Sequence, residues 1–370
     1  MLAIVIFIII LSVLVMIHEF GHFIMAKRAG IGVEEFGFGL PPRIWGKKVG
    51  GTIYSVNWLP FGGFVRLVGE DPTDKHRDDK NSFYVKSIWQ RFKVVVAGVF
   101  MNLVLAVAVF YIVVFALGFK VNMPLLVDHQ FKFVNQSKQV LVGDVSPNSP
   151  ASDAGLKPGE SIVEVSGQKI NSIENLQDVV KSSGGKALNI TVENPVNNQT
   201  HEVVATPKFN EKTNAPALGV SLGELYVMNY QTPLEKIFAG FIHSYNTIDY
   251  SLAVFGQLIG YSIREHTIAP VSEGVSGPVG IASITQQAVV LGPISVLQLV
   301  GLLSLNLAFL NVLPIPALDG GRLFFIIVEA VTRRKVHATF EKWVHTVGFA
   351  VLIALVLLVT YNDIFKLIHR

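Results

Sequence analysis

The sequence predicts a polytopic α-helical membrane protein with about four transmembrane helices and an inserted extracytoplasmic β-rich domain. Of its 370 residues, 51% are hydrophobic and only 15% are charged, whereas soluble domains carry about 25% charged residues. The hydrophobic residues concentrate in four long runs, and a stretch between the second and third runs has the composition of a soluble domain. Disorder is excluded because disordered segments are poor in apolar residues.

Net charge and cysteine content limit the possible chemistry. The net charge of +3 is too small to indicate a nucleic-acid-binding surface, so we expect no nucleic-acid partner. The chain has no cysteine, which excludes disulfides, thiolate nucleophiles and zinc–thiolate sites. Any metal ion must therefore be bound by His, Asp or Glu.

The four hydrophobic runs are candidate transmembrane helices, since a helix needs about 20 mostly apolar residues to cross a bilayer. They lie in segments 1–26, 94–119, 291–322 and 323–370. No basic stretch precedes the first run and no small-residue cleavage site follows it. We therefore expect a retained helix there rather than a cleaved signal peptide.

The distribution of Lys and Arg predicts the orientation in the membrane. Segment 27–93 holds twelve of them, and the loop between the third and fourth runs holds five. Short loops rich in basic residues stay in the cytoplasm. Both loops are therefore expected on the cytoplasmic side, and the segment from 120 to about 290 on the outer side.

The outer domain is expected to span residues 120–207 and to be rich in strands, because short runs of Val and Ile alternate with Pro- and Gly-marked turns. The run Ser-Pro-Ala-Ser-Asp-Ala-Gly-Leu-Lys-Pro-Gly-Glu at 149–160 resembles the core of a PDZ domain. PDZ domains bind an extended peptide at a sheet edge; a small β-domain without a ligand is the alternative. The predicted strands lie around 140–145, 162–165, 190–192 and 203–204, with a helix around 176–180.

Segment 208–290 is predicted to contain an amphipathic helix. Its apolar residues recur at spacings of three and four from Leu234 onward, and the pattern continues to Ile259. Such a helix either lies on the membrane surface or packs against the spans. A fifth span is disfavoured by charged and polar residues along it, including Glu235, Lys236 and Asp249.

The first hydrophobic run contains the sequence His18-Glu19-Phe20-Gly21-His22. Residues four apart share one face of a helix, so His18 and His22 can bind the same tetrahedral zinc ion. Glu19 is placed to take a proton from metal-bound water. Ionisable residues inside a bilayer are costly and usually functional. This favours a metal site over side chains that merely reach toward the membrane surface.

A catalytic zinc ion needs a third protein ligand, and Asp319 is the candidate. Pro314 and Pro316 cannot continue a regular helix, so the third run is expected to break just before Asp319. The carboxylate would then lie at the same cytoplasmic end as the histidines. An ion pair with Arg322 is the alternative for Asp319, and a ligand role is favoured over it.

These motifs together resemble the site-2 protease family of intramembrane zinc metalloproteases, and among them the bacterial sigma-E-regulating members most closely in organisation. The likeness covers nearly the whole chain, and the order of its two metal motifs is highly specific. It is carried by His-Glu-Phe-Gly-His at 18–22, Leu-Asp-Gly at 318–320, Gly-Phe-Gly at 37–39, Pro-Phe-Gly-Gly-Phe-Val at 60–65 and Ser-Gly-Pro-Val-Gly-Ile at 276–281.

The resemblance implies hydrolysis of a peptide bond within or beside a transmembrane helix, in a multi-pass protein of the bacterial cytoplasmic (inner) membrane. It implies Zn²⁺ held by His18, His22 and Asp319, with Glu19 as the general base, toward the cytoplasmic side. The implied substrates are transmembrane proteins already cut by another protease, such as anti-sigma factors or signal-peptide remnants.

A helical substrate must be unwound before its amide bonds can be attacked. The family's re-entrant β-hairpin region corresponds to the segment after the first span, where Gly37, Phe38 and Gly39, or the edge at Gly62 and Gly63, could pair with an extended substrate. Asn306 and Asn311 are five residues apart, so they need not share a role. One is expected to hold substrate and the other to support the zinc site, with interhelical hydrogen bonding as the alternative for both.

Two departures from the family pattern limit the transfer. The second run reads Ala97-Gly-Val, where the family usually has Pro after Ala-Gly, and only one PDZ-like unit is visible instead of two. Two other classes of protein also remain open: a non-catalytic membrane scaffold that uses its PDZ-like domain, and a proton-coupled transporter that would bind no metal.

Overall fold

The computed structural model describes residues 2–71, 75–124, 126–194, 199–210, 214–267 and 274–368. In chain order the elements are α1 (Leu2–Arg28), β1 (Val33–Val49), β2 (Thr52–Leu67), α2 (Ile88–Ala116), β3 (Lys120–Pro124), β4 (Asn135–Val145), α3 (Pro150–Asp153), β5 (Ser161–Val165), β6 (Gln168–Lys169), α4 (Ile173–Ser182), β7 (Leu188–Glu193), β8 (Thr200–Ala205), β9 (Lys208–Asn210), β10 (Ala215–Ala217), β11 (Val220–Asn229), α5 (Pro233–Ile237), α6 (Ala239–Arg264), α7 (Pro278–Leu291), α8 (Pro293–Val312), α9 (Asp319–Thr332) and α10 (Ala338–Ile368).

The predicted hydrophobic runs all form helices. Within the described residues, four helices are long and apolar enough to cross a membrane, namely α1, α2, α8 and α10. This agrees with the predicted number. The fourth run, expected within 323–370, forms α10, which continues through polar residues at both ends.

The chain forms two compact units, one made of Met1–Phe110 with Phe255–Arg370 and the other of Tyr111–Val254. The second unit contains a sheet with strand order β3-β11-β4-β5-β7-β8. Its core consists of inward-facing aliphatic side chains such as Val140, Ile162 and Ile190, which are fully buried. The strands predicted from Val and Ile are therefore present at β4, β5, β7 and β8.

The sheet extends past residue 207, where the sequence suggested that the outer domain ends. β11 pairs with both β3 and β4, although it lies in the segment that we interpreted as a linker with an amphipathic helix. That helix is present but divided, because α5 ends at Ile237 and α6 begins at Ala239. Residues 211–213 and 268–273 of the same segment lie outside the described residues.

In the first unit, β1 and β2 fold into a sheet that lies against α1. Residues Glu35–Phe38 pair on one side with Ile53–Val56 and on the other with Gly63–Arg66. This stretch of β1 is therefore central, and the second half of β2 forms an outer strand. Ser12 of α1 donates a hydrogen bond to the carbonyl oxygen of Pro60 at 2.8 Å, which holds that outer strand beside the helix.

Helix α8 ends at Val312, as Pro314 and Pro316 predicted. The chain turns over 313–318, and α9 starts at Asp319. The turn is tight enough to require glycine at Gly320, because a Cβ there would lie 1.8 Å from the carbonyl oxygen of Leu313. The Leu-Asp-Gly-Gly sequence thus sets the position of the Asp319 carboxylate.

Candidate active site

Asp319 lies against the histidine pair, so the sequence-distant candidate ligands meet in space. Its Oδ2 is 2.9 Å from Nε2 of His18 and 3.0 Å from Nε2 of His22. The two Nε2 atoms are 3.1 Å apart. Both histidines are buried, at 7% and 8% exposure.

These separations fit a tetrahedral zinc ion. Zinc–ligand bonds of about 2.0–2.1 Å at tetrahedral angles place neighbouring ligand atoms about 3.3 Å apart, close to what the three atoms show. The donor set of two imidazoles and one carboxylate is also one that zinc accepts in catalytic sites. Among the described residues, this is the one group of His, Asp or Glu with such spacing.

The two imidazoles favour the anionic form of the Asp319 carboxylate. Burial raises the pKa of Asp319, but the adjacent imidazoles of His22 and His18 outweigh burial and hold the pKa well below its ordinary range. An anionic oxygen is what a divalent cation requires of this ligand.

Arg322 does not pair with Asp319. Its guanidinium forms an ion pair with Glu70, which follows the hairpin, and Glu70 also accepts a hydrogen bond from the backbone N–H of Leu67 at 3.2 Å. The alternative in which Arg322 accounts for Asp319 therefore does not match the geometry.

Helix α2 presents three positions, each four residues from the next, to the histidines. The carbonyl oxygen of Val94 lies 2.8 Å from Nδ1 of His22, and the side-chain amide of Asn102 lies 3.3 Å from Nδ1 of His18. Between them is Gly98, where a Cβ would lie 2.3 Å from Nε2 of His22. Glycine at this position is what lets the helix approach the cluster.

The outer strand of the hairpin, the second half of β2, also contacts the histidine motif. The backbone N–H of Val65 donates to Oε2 of Glu19 at 3.0 Å. Glu19 and two of the cluster residues line a cavity of about 200 Å³, together with the Glu70–Arg322 ion pair and eight apolar residues. Its lining is Glu19, His22, Phe64, Val65, Leu67, Glu70, Phe83, Val94, Val95, Ala317, Leu318, Asp319 and Arg322.

The predicted substrate-binding glycines occupy different places in the hairpin sheet. Gly37 and Phe38 have a paired neighbour on each side, so the expected strand addition at Gly37–Gly39 has no free edge. Gly62 and Gly63 lie on the outer strand, which leads into the cavity lining at Phe64 and Val65. Both glycines are buried against α1, where a Cβ would lie 2.9 Å from Val15 and 2.2 Å from Met16 respectively.

The two asparagines of α8 differ in environment. Asn311 is 9% exposed, whereas Asn306 is exposed. Within the described part of the chain, neither lines the cavity around the metal cluster. The two side chains therefore lie on different faces of the helix.

Sequence reasoning missed Val65, Val94 and Gly98 as parts of the site. Two of them act through backbone atoms and the third through the absence of a side chain, none of which leaves a chemical signature in a sequence. The departure noted above, Val99 where the family usually has Pro, lies next to Gly98 on the same helix but did not indicate its contact with the histidines.

The chain is similar to known proteases over nearly its whole length. Peptidase family M50 matches residues 6–355. A protein of Clostridium perfringens named as a zinc metalloprotease is 33% identical over 353 residues, which cover 95% of this chain and 96% of that one. The regulator of sigma-W protease RasP of Bacillus subtilis is 29% identical over 439 residues, covering 98% of each chain.

Among solved structures, the PDZ domain of an SdrC-like protein from Listeria innocua is similar over 23% of this chain and 92% of that one, at 25% identity and a TM-score of 0.21.

The chain belongs to peptidase family M50. It is an intramembrane zinc metalloprotease with several membrane helices, as the motifs predicted. Neither the scaffold nor the transporter alternative is favoured by these comparisons.

Proposed function

We propose that His18, His22 and Asp319 bind the zinc ion and that Glu19 is the general base of peptide hydrolysis. The observation that supports this most directly is the cluster of Nε2, Nε2 and Oδ2 atoms at 2.9–3.1 Å spacing. It joins the first helix to a residue about 300 positions later, a juxtaposition with little purpose other than binding a cation.

A zinc ion held by His18, His22 and Asp319 would supply Lewis-acid activation of water and of the scissile carbonyl. Glu19 takes a proton from the attacking water and transfers it to the leaving amine nitrogen. The N–H of Val65 fixes one oxygen of that carboxylate and leaves the other for the proton.

The substrate is proposed to bind as an extended strand at the outer edge of β2, around Gly62 and Gly63, which leads to the metal cavity. This requires α1 to move away from that edge, because Val15 and Met16 of α1 pack against the two glycines. Strand addition provides hydrogen-bond partners for the backbone N–H and C=O groups that unwinding of a helix exposes. Asn311 and Asn306 on α8 are proposed as further contacts, one toward the site and one toward the substrate.

The natural substrates are proposed to be transmembrane proteins trimmed by an earlier protease, such as anti-sigma factors or signal-peptide remnants. The similarity to a regulator of sigma-W protease supports this class. The β-rich unit, with its PDZ-like sequence, is proposed to lie outside the cytoplasmic (inner) membrane, and the active site toward the cytoplasmic side. The basic loops support that orientation.

A cleavage assay with purified protein in liposomes and a model single-span substrate tests the roles. Glu19→Gln should keep one zinc ion per chain and lower cleavage about 10²–10⁴-fold, whereas Glu265→Gln, a change at an exposed glutamate, should change neither. His22→Phe should lose zinc and activity together. Normal cleavage by Glu19→Gln would show that Glu19 is not the general base. A trimmed substrate should be cut faster than the same span with its outer domain intact.

A further inference from the structure

The two histidines of the metal cluster have different partners on helix α2. Nδ1 of His22 lies 2.8 Å from the carbonyl oxygen of Val94, a group that can only accept. Nδ1 of His18 lies 3.3 Å from the side-chain amide of Asn102, a group that can donate or accept. The first contact fixes the hydrogen of His22 on Nδ1 and leaves Nε2 free to bind a cation.

Asn102 is completely buried, and its side-chain oxygen has no hydrogen-bond partner among the described residues. An imidazole that binds zinc through Nε2 carries its hydrogen on Nδ1 and needs an acceptor there. A 180° turn of the terminal amide brings the Asn102 oxygen to His18. After this rotation, one hydrogen bond gives the Nδ1–H of His18 an acceptor and the Asn102 side-chain oxygen a donor.

The backbone of Asn102 is held from the third spanning helix. Ser304 of α8 is fully buried and donates its hydroxyl hydrogen to the carbonyl oxygen of Asn102 at 2.8 Å. Helix α8 also leads through the 313–318 turn to Asp319. The same helix therefore positions one ligand and the partner of another.

We infer that Asn102 is a positioning residue for the zinc site. It selects the Nδ1–H form of His18 and fixes the imidazole ring so that Nε2 faces the ion. Ser304 in turn holds Asn102 in place. This inference rests on the proposed role of His18 as a ligand. It differs from interhelical hydrogen bonding alone, because it requires an acceptor at position 102 rather than any buried contact.

The test uses purified full-length protein in detergent. Zinc affinity is measured by competition with a chromophoric chelator, and the ligand field by the visible absorption of the Co²⁺-substituted protein. Asn102→Leu keeps the approximate volume but removes the acceptor, and it should weaken zinc binding about 10–100-fold and alter the Co²⁺ bands. Asn102→Asp restores an acceptor and should stay within a few-fold of wild type with similar bands.

Ser304→Ala should give a smaller loss in the same direction, and it serves as the milder variant if Asn102→Leu does not fold. Ser12→Ala is the matched control, since it also removes a buried hydrogen bond of a spanning helix but lies away from the cluster. It should leave affinity and bands unchanged.

Unchanged affinity and bands in Asn102→Leu would overturn the inference, as would equal losses in Asn102→Leu and Asn102→Asp. His22→Phe separates this failure from that of the ligand assignment. If His22→Phe abolishes zinc binding while Asn102→Leu does not weaken it, the assignment of the zinc ligands is supported and the positioning role of Asn102 is wrong. If His22→Phe retains zinc, the ligand assignment itself is wrong.

Discussion

The backbone N–H of Val65 donates a hydrogen bond to Oε2 of Glu19 at 3.0 Å. This bond joins the outer strand of the hairpin to the residue proposed as the base. Because the N–H points toward Glu19, it is not used in pairing with β1. This hydrogen bond therefore connects the strand proposed to receive the substrate to the carboxylate proposed to move the proton.

Removing that donor should impair catalysis without removing the metal. Val65→Pro lacks the N–H, and proline is tolerated in outer strands whose N–H is not part of the ladder. A hydrogen bond to a charged group contributes about 1.5–3 kcal/mol, so we expect cleavage to fall about 10–100-fold with zinc content unchanged. Val65→Ala keeps the N–H and should retain most activity. Equal rates for the two variants would show that the contact does not orient Glu19.

Adding one methyl group to Gly98 should displace the metal ligands. The new Cβ would lie 2.3 Å from Nε2 and 2.7 Å from Cε1 of His22, which is packed and cannot easily move. Gly98→Ala should therefore lower zinc content after gel filtration and reduce cleavage at least tenfold. Gly256→Ala in α6 is the control, since a Cβ there meets nothing within 4 Å. Full zinc content in Gly98→Ala would contradict the close approach of α2.

Asp319 and Arg322 should behave differently when replaced. Asp319→Ala removes a proposed ligand and should weaken zinc retention against a chelator. Arg322→Gln breaks the pair with Glu70 but leaves the cluster intact, so zinc retention should stay close to that of wild type. If the two substitutions weaken zinc retention equally, Asp319 acts through Arg322 and not as a ligand.

The parts of the site that follow local rules were predictable from the sequence. His18 and His22 share a helix face because of their spacing, and two prolines mark the break before Asp319. Their meeting was inferred from the shared membrane end, and the structure places the three side chains together.

What the sequence did not reveal depends on contacts between distant segments. The pairing of Arg322 with Glu70 joins residues 252 positions apart, and nothing in either neighbourhood marks it. β11 escaped prediction because its pairing with β4 and β3 also joins segments that are far apart in the sequence. The central place of Gly37 in the hairpin sheet follows from how β1 and β2 fold back on themselves, which alternation of residue types cannot show.

Breaking the buried ion pair between Arg91 and Glu329 should destabilise the first unit. Nη2 of Arg91 lies 2.7 Å from Oε1 of Glu329, and their side chains are only 6% and 12% exposed. Arg91→Met leaves a buried carboxylate without its partner, which typically costs about 3–5 kcal/mol. Thermal inactivation in detergent should therefore occur at a lower temperature. Arg91→Met with Glu329→Leu removes both charges and should recover most of the loss, because well-packed apolar residues often replace such pairs without penalty. A double variant no more stable than Arg91→Met would show that the two side chains are not coupled.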